Sequence, residues 1–143
     1  MAVPKEAKSK NNQPMHFSVG ALIQKDDKYL LVDRVVPPLG FAGLAGHVDE
    51  GEEQLVAIKR EVEEESGLKV KECQLLFEEE LDWNWCARGF NVHFWFLYTC
   101  QVSGKIRWNK RESKSIGWYA PEEIKKLNLE PVWGYWFKKL KII

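Results

Sequence analysis

Three glutamates near the middle of the chain have the type and spacing to hold a metal ion together. On a helix, Glu61, Glu64 and Glu65 fall on one face because they stand three and four positions apart. Like charges at these spacings repel, and the helix dipole disfavours anions in a last turn. A hard divalent cation such as Mg²⁺ would offset this repulsion, since it prefers oxygen ligands. The alternative is a solvated acidic face, and the glycines at both ends of the segment favour the metal site.

The helix that carries these acids is predicted over residues 52–66. It contains no Pro or Gly, and Gly67 stands where a left-handed residue commonly ends a helix. Leu55, Ile58 and Val62 form an apolar stripe beside the acids. We expect this stripe to pack on a sheet.

The remaining pattern predicts one mixed α/β domain over residues 15–143. Alternating apolar residues indicate strands near 16–24, 29–34, 73–81, 91–101 and 115–119. Pro121 opens a short predicted helix, and a last helical or irregular segment follows from Pro131. Residues 1–14 are rich in Lys, Asn and Gln, and we expect them to form a flexible tail.

The segment 46–68 resembles the Nudix box. That pattern is Gly, five residues, Glu, seven residues, Arg-Glu, an aliphatic residue, any residue, Glu-Glu, any residue, Gly and an aliphatic residue. Its positions are filled by Gly46, Glu52, Arg60, Glu61, Val62, Glu64, Glu65, Gly67 and Leu68. The resemblance implies a Nudix fold, an α/β/α sandwich with a mixed central β-sheet. It also implies a MutT-like hydrolase that cleaves a nucleoside diphosphate linked to another moiety, with Mg²⁺ or Mn²⁺ as cofactor.

The same resemblance implies roles for the polar residues of the box. Glu61, Glu64 and Glu65 match the metal-binding carboxylates of the family. Either Glu61 or Glu64 matches the base that takes a proton from the attacking water. Arg60 and Glu52 match the pair that orients the acidic cluster.

Further positions of this sequence, outside the acidic helix face, also match functional or structural positions of the family. The carbonyl of Ala45 corresponds to a backbone metal ligand in some relatives, and Gly46 and Gly67 match glycines needed for the loop–helix–loop shape. Glu112 stands before the last predicted strand, where relatives often place another metal-binding or base glutamate. The alternative is that Glu112 only balances the basic residues around it.

Candidate substrate contacts lie in two other segments. Arg34 ends the second predicted strand, where similar proteins often hold phosphates with an Arg, and a guanidinium fork suits that task. Its alternative is a surface salt bridge. Trp83, Trp85 and Arg88 stand in a predicted loop and would stack on a base. Packing in the core or in a hairpin is the alternative for the two indoles.

The basic residues 105–111 have two interpretations as well. A solvated hairpin turn is the first, and contact with a polyphosphate or an RNA 5′ end is the second. His47 and His93 are interpreted as structural.

Cysteine usage predicts a cytoplasmic protein. The three cysteines are odd in number and form no Cys-x-x-Cys pair, which argues against a disulfide framework or a zinc knuckle. We expect no membrane partner, since the apolar runs are far shorter than the roughly 20 residues of a membrane helix. The start of the chain has no apolar core of a secretory signal.

The zero net charge conceals two opposite regions. Residues 46–80 hold twelve acids and four bases, and the remainder holds nine acids and seventeen bases. As a bulk number, zero charge argues against a general nucleic-acid-binding protein. Divided along the chain, it fits a domain that binds a small polyanion together with its metal ions.

The substrate favoured by the resemblance is a nucleoside triphosphate, including oxidised nucleotides. Markers of ADP-ribose, dinucleoside polyphosphate and NADH pyrophosphatases are missing downstream of the box. Nucleotide sugars, dinucleoside polyphosphates and a capped RNA 5′ end stay as alternatives, as does a Nudix-like module that binds nucleotide or RNA without turnover. Many relatives form homodimers.

Overall fold

The computed structural model describes residues 2–143. Its strands are β1 (Glu6–Lys8), β2 (Pro14–Leu22), β3 (Gln24–Lys25), β4 (Lys28–Arg34), β5 (Phe41–Ala42), β6 (Leu44–His47), β7 (Lys69–Leu81), β8 (Val92–Ser103) and β9 (Ser113–Tyr119). Its helices are α1 (Gln54–Ser66), α2 (Pro121–Ile124) and α3 (Pro131–Lys139). Within residues 2–143 no helix has both the length and the apolar character needed to cross a membrane.

The strands form two sheets. The larger, five-stranded sheet has the order β1–β2–β8–β7, and β6 pairs with β2 beside β1. Strands β2 and β8 run parallel, whereas the other pairs in this sheet are antiparallel. The smaller sheet joins β3, β4 and β5, with β9 on the other edge of β4. The predicted mixed sheet is therefore confirmed.

Helices cover both faces of the larger sheet. Ile58 and Val62 of α1 are fully buried in one cluster with Val19 of β2. Trp133 of α3 is fully buried in a second cluster with Trp95 of β8. Since successive side chains of a strand point to opposite faces, these clusters form two layers of core. The α/β/α arrangement expected from the sequence is confirmed.

The helix α1 differs from the prediction in two ways. It begins at Gln54 and not at residue 52, and its apolar stripe is shorter than expected. Leu55 was expected to be buried, but it is 47% exposed. It is the second residue of the helix, and helical spacing alone does not show whether anything packs on a first turn. The predicted end is confirmed: Gly67 has a φ of 76°, and its N–H donates to the carbonyl of Glu63 at 2.8 Å.

The N-terminal segment differs from the expected flexible tail. Strand β1 pairs with the start of β2, and the N–H of Lys5 donates to the carbonyl of Val48 at 2.8 Å. The N–H of Glu50 donates to the carbonyl of Val3 at 2.8 Å. A polar segment of low intrinsic order is held here because the edge of β2 and the start of the box offer it backbone partners.

Candidate active site

One cavity of about 470 Å³ lies beside the acidic face of α1, within the usual size range of ligand pockets. It is bounded by the ends of β4 and β6, by the segment 82–91 and by the segment before β9. Its charged lining is Arg34, Asp49, Arg60, Glu61, Glu64, Glu65, Arg88, Glu112 and Glu130. The Nudix-box acids and most of the predicted substrate contacts therefore lie around one space.

Arg60 connects α1 to the loop that precedes it. Its Nε and one terminal nitrogen donate to the two carboxylate oxygens of Glu52 at 2.8 and 3.0 Å. The other terminal nitrogen donates to Glu61 at 2.8 Å, and Glu64 lies 3.3 Å away. Glu52 also accepts the N–H of Asp49 at 3.0 Å. This network determines where the acidic side chains of α1 point.

The network also sets the charges of its members. The hydrogen bond from Arg60 lowers the pKa of Glu52, and the hydrogen bond to Glu52 raises the pKa of Arg60. Both groups are therefore ionised at neutral pH, and a bidentate Arg–carboxylate pair is geometrically specific.

Of the three metal-candidate glutamates, Glu65 is buried and Glu61 is mostly buried. Glu61 packs against Gly46 so closely that a β-carbon at position 46 would overlap its carboxyl group. Burial raises the pKa of Glu61 to about 7, although Arg60 opposes the change. Glu65 accepts the N–H of Ala45 at 2.9 Å, and burial raises its pKa well above the usual range. Glu64 has a half-exposed side chain.

This donor set fits a hard divalent cation. Buried carboxyl groups that repel one another are costly as anions, and Arg60 alone supplies fewer positive charges than the cluster has acids. A divalent ion with oxygen ligands compensates such a cluster directly. Glu112 and Ala45 line the same cavity.

Glu112 reaches this position through the segment 104–112. The backbone N–H of Arg107 donates to the carbonyl of Ser66 at 2.7 Å, and the Asn109 side chain donates to the carbonyl of Glu64 at 3.2 Å. The N–H of Glu112 then donates to the carbonyl of Asn109 at 3.0 Å. The basic run therefore packs its backbone on the end of α1, while its four basic residues are exposed to solvent as the first interpretation expected.

Arg34, the last residue of β4, lines the same cavity as the acidic helix end. Its Nε donates to the carbonyl of Pro38 at 2.9 Å and lies 3.5 Å from the carboxylate of Glu130. Glu130 is buried, and burial raises its pKa to about 7 against the effect of Arg34. An ion pair was the alternative role for Arg34 and it exists, but it is not a surface salt bridge, since its partner Glu130, the residue before α3, is buried.

The two indoles predicted to bind a base both lie in the segment 82–91, but their side chains have different surroundings. Trp85 and Arg88 border the cavity, and Trp85 is 46% exposed. Trp83 lies outside the cavity lining and packs edge-on against Tyr135, with ring centroids 5.4 Å apart. The structure therefore does not bring Trp83 to the predicted binding surface, because residues two apart in this loop face different directions.

The sequence did not indicate a further group at the cavity, the His/Cys cluster (His16, His47, Cys86 and His93), and all of its members but His16 line the cavity. Its four donor atoms lie within 4.8 Å of one another. Burial lowers the pKa of His47 to about 3 and that of His93 to about 4, so both rings are neutral at pH 7. These residues come from four separate segments with no recognisable spacing, so no local motif could have indicated them.

The chain was compared with known families and relatives. The model of the NUDIX domain family matches residues 14–140. An RNA pyrophosphohydrolase of Pelagibacter ubique (strain HTCC1062) is 37% identical over 82 residues, which are 53% of this chain and 52% of that protein. The matched part thus spans about half the length of this curated relative.

Solved structures show the same fold. A MutT NUDIX hydrolase from Burkholderia pseudomallei is 27% identical with a TM-score of 0.67, over 76% of this chain and 85% of that chain. A NUDIX hydrolase from Nitrosomonas europaea is 26% identical with a TM-score of 0.65, over 82% and 78%. The NUDIX domain of Shewanella oneidensis NrtR, in complex with ADP ribose, is 16% identical with a TM-score of 0.73, over 87% and 85%, and shows likeness of fold only.

Proposed function

Because the chain belongs to the Nudix hydrolase family, we propose that it hydrolyses a phosphoanhydride bond in a nucleoside triphosphate, natural or oxidised. The observation that carries this proposal is the shared cavity. The acidic end of α1 borders it on one side, and Arg34, Trp85 and Arg88 border it elsewhere. A nucleotide has the matching parts: a metal-bound polyphosphate and a flat base.

The proposed cofactor is Mg²⁺ or Mn²⁺, held by Glu61, Glu64, Glu65 and Glu112 with the carbonyl of Ala45. When bound, such an ion neutralises phosphate charge and lowers the pKa of a bound water. Oxygen ligands favour Mg²⁺ and Mn²⁺ over softer metals.

The chain's own residues would orient the reactants and move one proton. Glu61 or Glu64 takes the proton from the water that attacks one phosphorus of the anhydride. The bond between that phosphorus and the bridging oxygen breaks, and the other phosphoryl group leaves with this oxygen. Arg60 and Glu52 keep the base in position through their paired hydrogen bonds.

The proposed substrate contacts are residues of the cavity lining outside α1. Arg34 has only its Nε engaged among the described residues, so its terminal nitrogens are available for phosphate oxygens. Trp85 offers an exposed indole face for a base, and Arg88 stands three residues further along the same segment. Trp83 is left out of this surface because it packs on Tyr135.

A substrate panel tests the proposal. Release of phosphate or pyrophosphate would be measured with Mg²⁺ on nucleoside triphosphates, oxidised deoxynucleotides, nucleotide sugars, dinucleoside polyphosphates and capped RNA. We expect the highest kcat/KM with a nucleoside triphosphate. Metal-independent activity, or turnover of nucleotide sugars alone, would contradict the proposal.

A second candidate substrate is the 5′ end of an RNA, and the observation that favours it is the name of the Pelagibacter relative. The discriminating measurement compares a 5′-triphosphorylated RNA oligonucleotide with the matching nucleoside triphosphate at equal concentration. Preference for the oligonucleotide by tenfold or more in kcat/KM would replace the mononucleotide proposal with the RNA one.

A further inference from the structure

Three imidazoles project from one face of the larger sheet, and two of them, His47 and His93, line the cavity together with Cys86. His16 of β2 and His93 of β8 are partners across the two parallel strands. His47 of β6 stands opposite Ser18 of β2, two residues beyond His16. Because residues two apart on a strand share a face, the three rings form a row across neighbouring strands. Cys86 of the segment 82–91 meets this row, with its Sγ 3.8 Å from Nδ1 of His16.

The donor atoms have separations close to those of a tetrahedral metal site. The Nε2 atoms of His47 and His93 are 3.4 Å apart, and all four donors lie within 4.8 Å of one another. Metal–nitrogen bonds of about 2.0 Å and a metal–sulfur bond of about 2.3 Å place tetrahedral ligand atoms about 3.3 to 3.6 Å apart. A small contraction of the cluster is therefore enough to surround an ion.

Neighbouring groups already orient two of the rings. Nδ1 of His93 is 2.6 Å from the carbonyl oxygen of Asn84, which can only accept, so Nδ1 donates and Nε2 presents its lone pair to the cluster. The Asn84 side chain accepts the N–H of Trp95 at 2.7 Å, which fixes the segment in place. Phe90 stacks on His16 with ring centroids 3.6 Å apart. Such hydrogen bonds to the second ring nitrogen are typical of metal-binding histidines.

We propose that the His/Cys cluster binds one Zn²⁺ ion at a site separate from the glutamates. Imidazole and thiolate ligands suit Zn²⁺, whereas the carboxylates of α1 suit Mg²⁺ or Mn²⁺, so the two sites differ in the metal they select. Four protein ligands complete a tetrahedron and leave no place for a water, so this ion is structural.

The charges around the cluster are compatible with one thiolate-bound ion. Arg88 and Arg34 are the cations that act on His47, and both disfavour added positive charge. The Cys86 thiolate would supply one compensating negative charge and the three neutral imidazoles none, so the occupied site would carry a single net positive charge.

The function of this ion is to fasten the segment 82–91 to the sheet. Cys86 stands directly after Trp85 and two residues before Arg88, which border the cavity. Loss of the ion would therefore loosen the proposed base-binding wall, and we expect KM for the nucleotide to rise at least fivefold while kcat changes little.

The test uses the full chain with no nucleotide and with excess Mg²⁺ to occupy the glutamates. Zn²⁺ is titrated against a chromophoric chelator, and Co²⁺ binding is followed by thiolate-to-cobalt charge-transfer absorption. We expect one equivalent of Zn²⁺ and a clear charge-transfer band in the wild type. Cys86→Ser should lose the band and at least a hundredfold in affinity.

Cys73→Ser is the matched control, because Cys73 lies on β7 with its Sγ 3.4 Å from that of Cys100, outside the cluster. It should bind both metals like the wild type. The proposal is overturned by a wild type that binds no Zn²⁺, by a band that persists in Cys86→Ser, or by an equal loss in Cys73→Ser. If Cys86→Ser does not fold, alkylation of the wild-type cysteines is measured instead. Zn²⁺ should slow the labelling of Cys86 at least tenfold and leave the labelling of Cys73 unchanged. Equal rates of Cys86 labelling with and without Zn²⁺ would overturn the proposal.

Discussion

Arg60 shows how a single side chain organises the acidic face. Its fork joins Glu52, before the helix, to Glu61 on the helix, and the terminal nitrogen that contacts Glu52 also donates to the carbonyl of His47 at 3.0 Å. A lysine offers one point charge and would lose this simultaneous contact. Glu64 stands at the open side of this network, where a water and a phosphate have access.

Glu64→Gln should lower kcat by a hundredfold or more without unfolding the protein, because it removes a charged or proton-accepting group from a half-exposed position. The assay is Mg²⁺-dependent hydrolysis of the best substrate of the panel, with circular dichroism to check folding. Glu63→Gln is the matched control, since Glu63 is its exposed neighbour on α1 outside the cavity lining. Wild-type-like turnover in Glu64→Gln would contradict the proposed site.

Glu130 should make stability depend on pH. Its pKa is raised from 4.5 to about 7, so its contribution is fully present below pH 4.5 and is lost as pH rises through 7. The loss amounts to about 3 kcal/mol, from about 1.4 kcal/mol per pKa unit.

Glu130→Gln cannot titrate at this position. The free energy of unfolding of the variant, relative to wild type, should therefore increase between pH 5 and pH 8. Urea unfolding at a series of pH values measures this difference. A difference that stays constant across the range would show that Glu130 is ionised at an ordinary pKa in the folded protein.

At the scale of elements, the end of α1 positions the segment that carries Glu112. Gly67 ends the helix with a φ of 76°, and a β-carbon there would lie 2.9 Å from Cβ of Arg107. The carbonyl of the preceding residue, Ser66, accepts the N–H of Arg107. The glycine of the box therefore serves both the helix end and the packing of the following segment.

Gly67→Ala should destabilise the protein by about 2 kcal/mol or more, since left-handed strain of 1–3 kcal/mol adds to the contact with Arg107. Gly51→Ala is the matched control, because its φ is 75° but nothing lies within 4 Å of the added β-carbon. Urea unfolding compares the two variants. Equal losses of stability would show that only the backbone conformation matters at position 67.

At the scale of the whole molecule, the N-terminal residues connect the sheet to the start of the box. Hydrogen exchange should show protected amides at Lys5 and Glu50, because each donates to a backbone carbonyl at 2.8 Å. We expect exchange at least tenfold slower than in an unstructured peptide, measured by NMR or by mass spectrometry with peptide resolution. Exchange at the unstructured rate at both positions would support the flexible tail that composition suggests.

The distribution of charge is also a property of the whole molecule. The twelve acids of residues 46–80 include those of the α1 end, while Arg34 and Arg88 come from the positive remainder of the chain. The fold places both groups around one cavity. A neutral protein thereby presents a surface that suits a polyanion with its metal.

The local pattern of the sequence was enough to predict the helix, its glycine end and the convergence of the acids. Helical spacing determines which side chains share a face, so Glu61, Glu64 and Glu65 needed no knowledge of distant residues. Dependence on local sequence alone also explains the wrong prediction for Leu55. Leu55 has the right spacing for burial, but exposure of a first turn depends on what packs there.

Only the tertiary structure decided the features that join distant segments. Strands β1 and β6 are short and depend on pairing with β2. The directions of Trp83 and Trp85 follow from the backbone angles of a loop, which has no regular repeat from which side-chain directions could be predicted. The His/Cys cluster needs three strands and one loop to meet, because His16 and His93 become neighbours only through the β2–β8 pairing. The sequence by itself thus determined the acidic centre, since its residues share a helix, and pairing between strands determined what surrounds it.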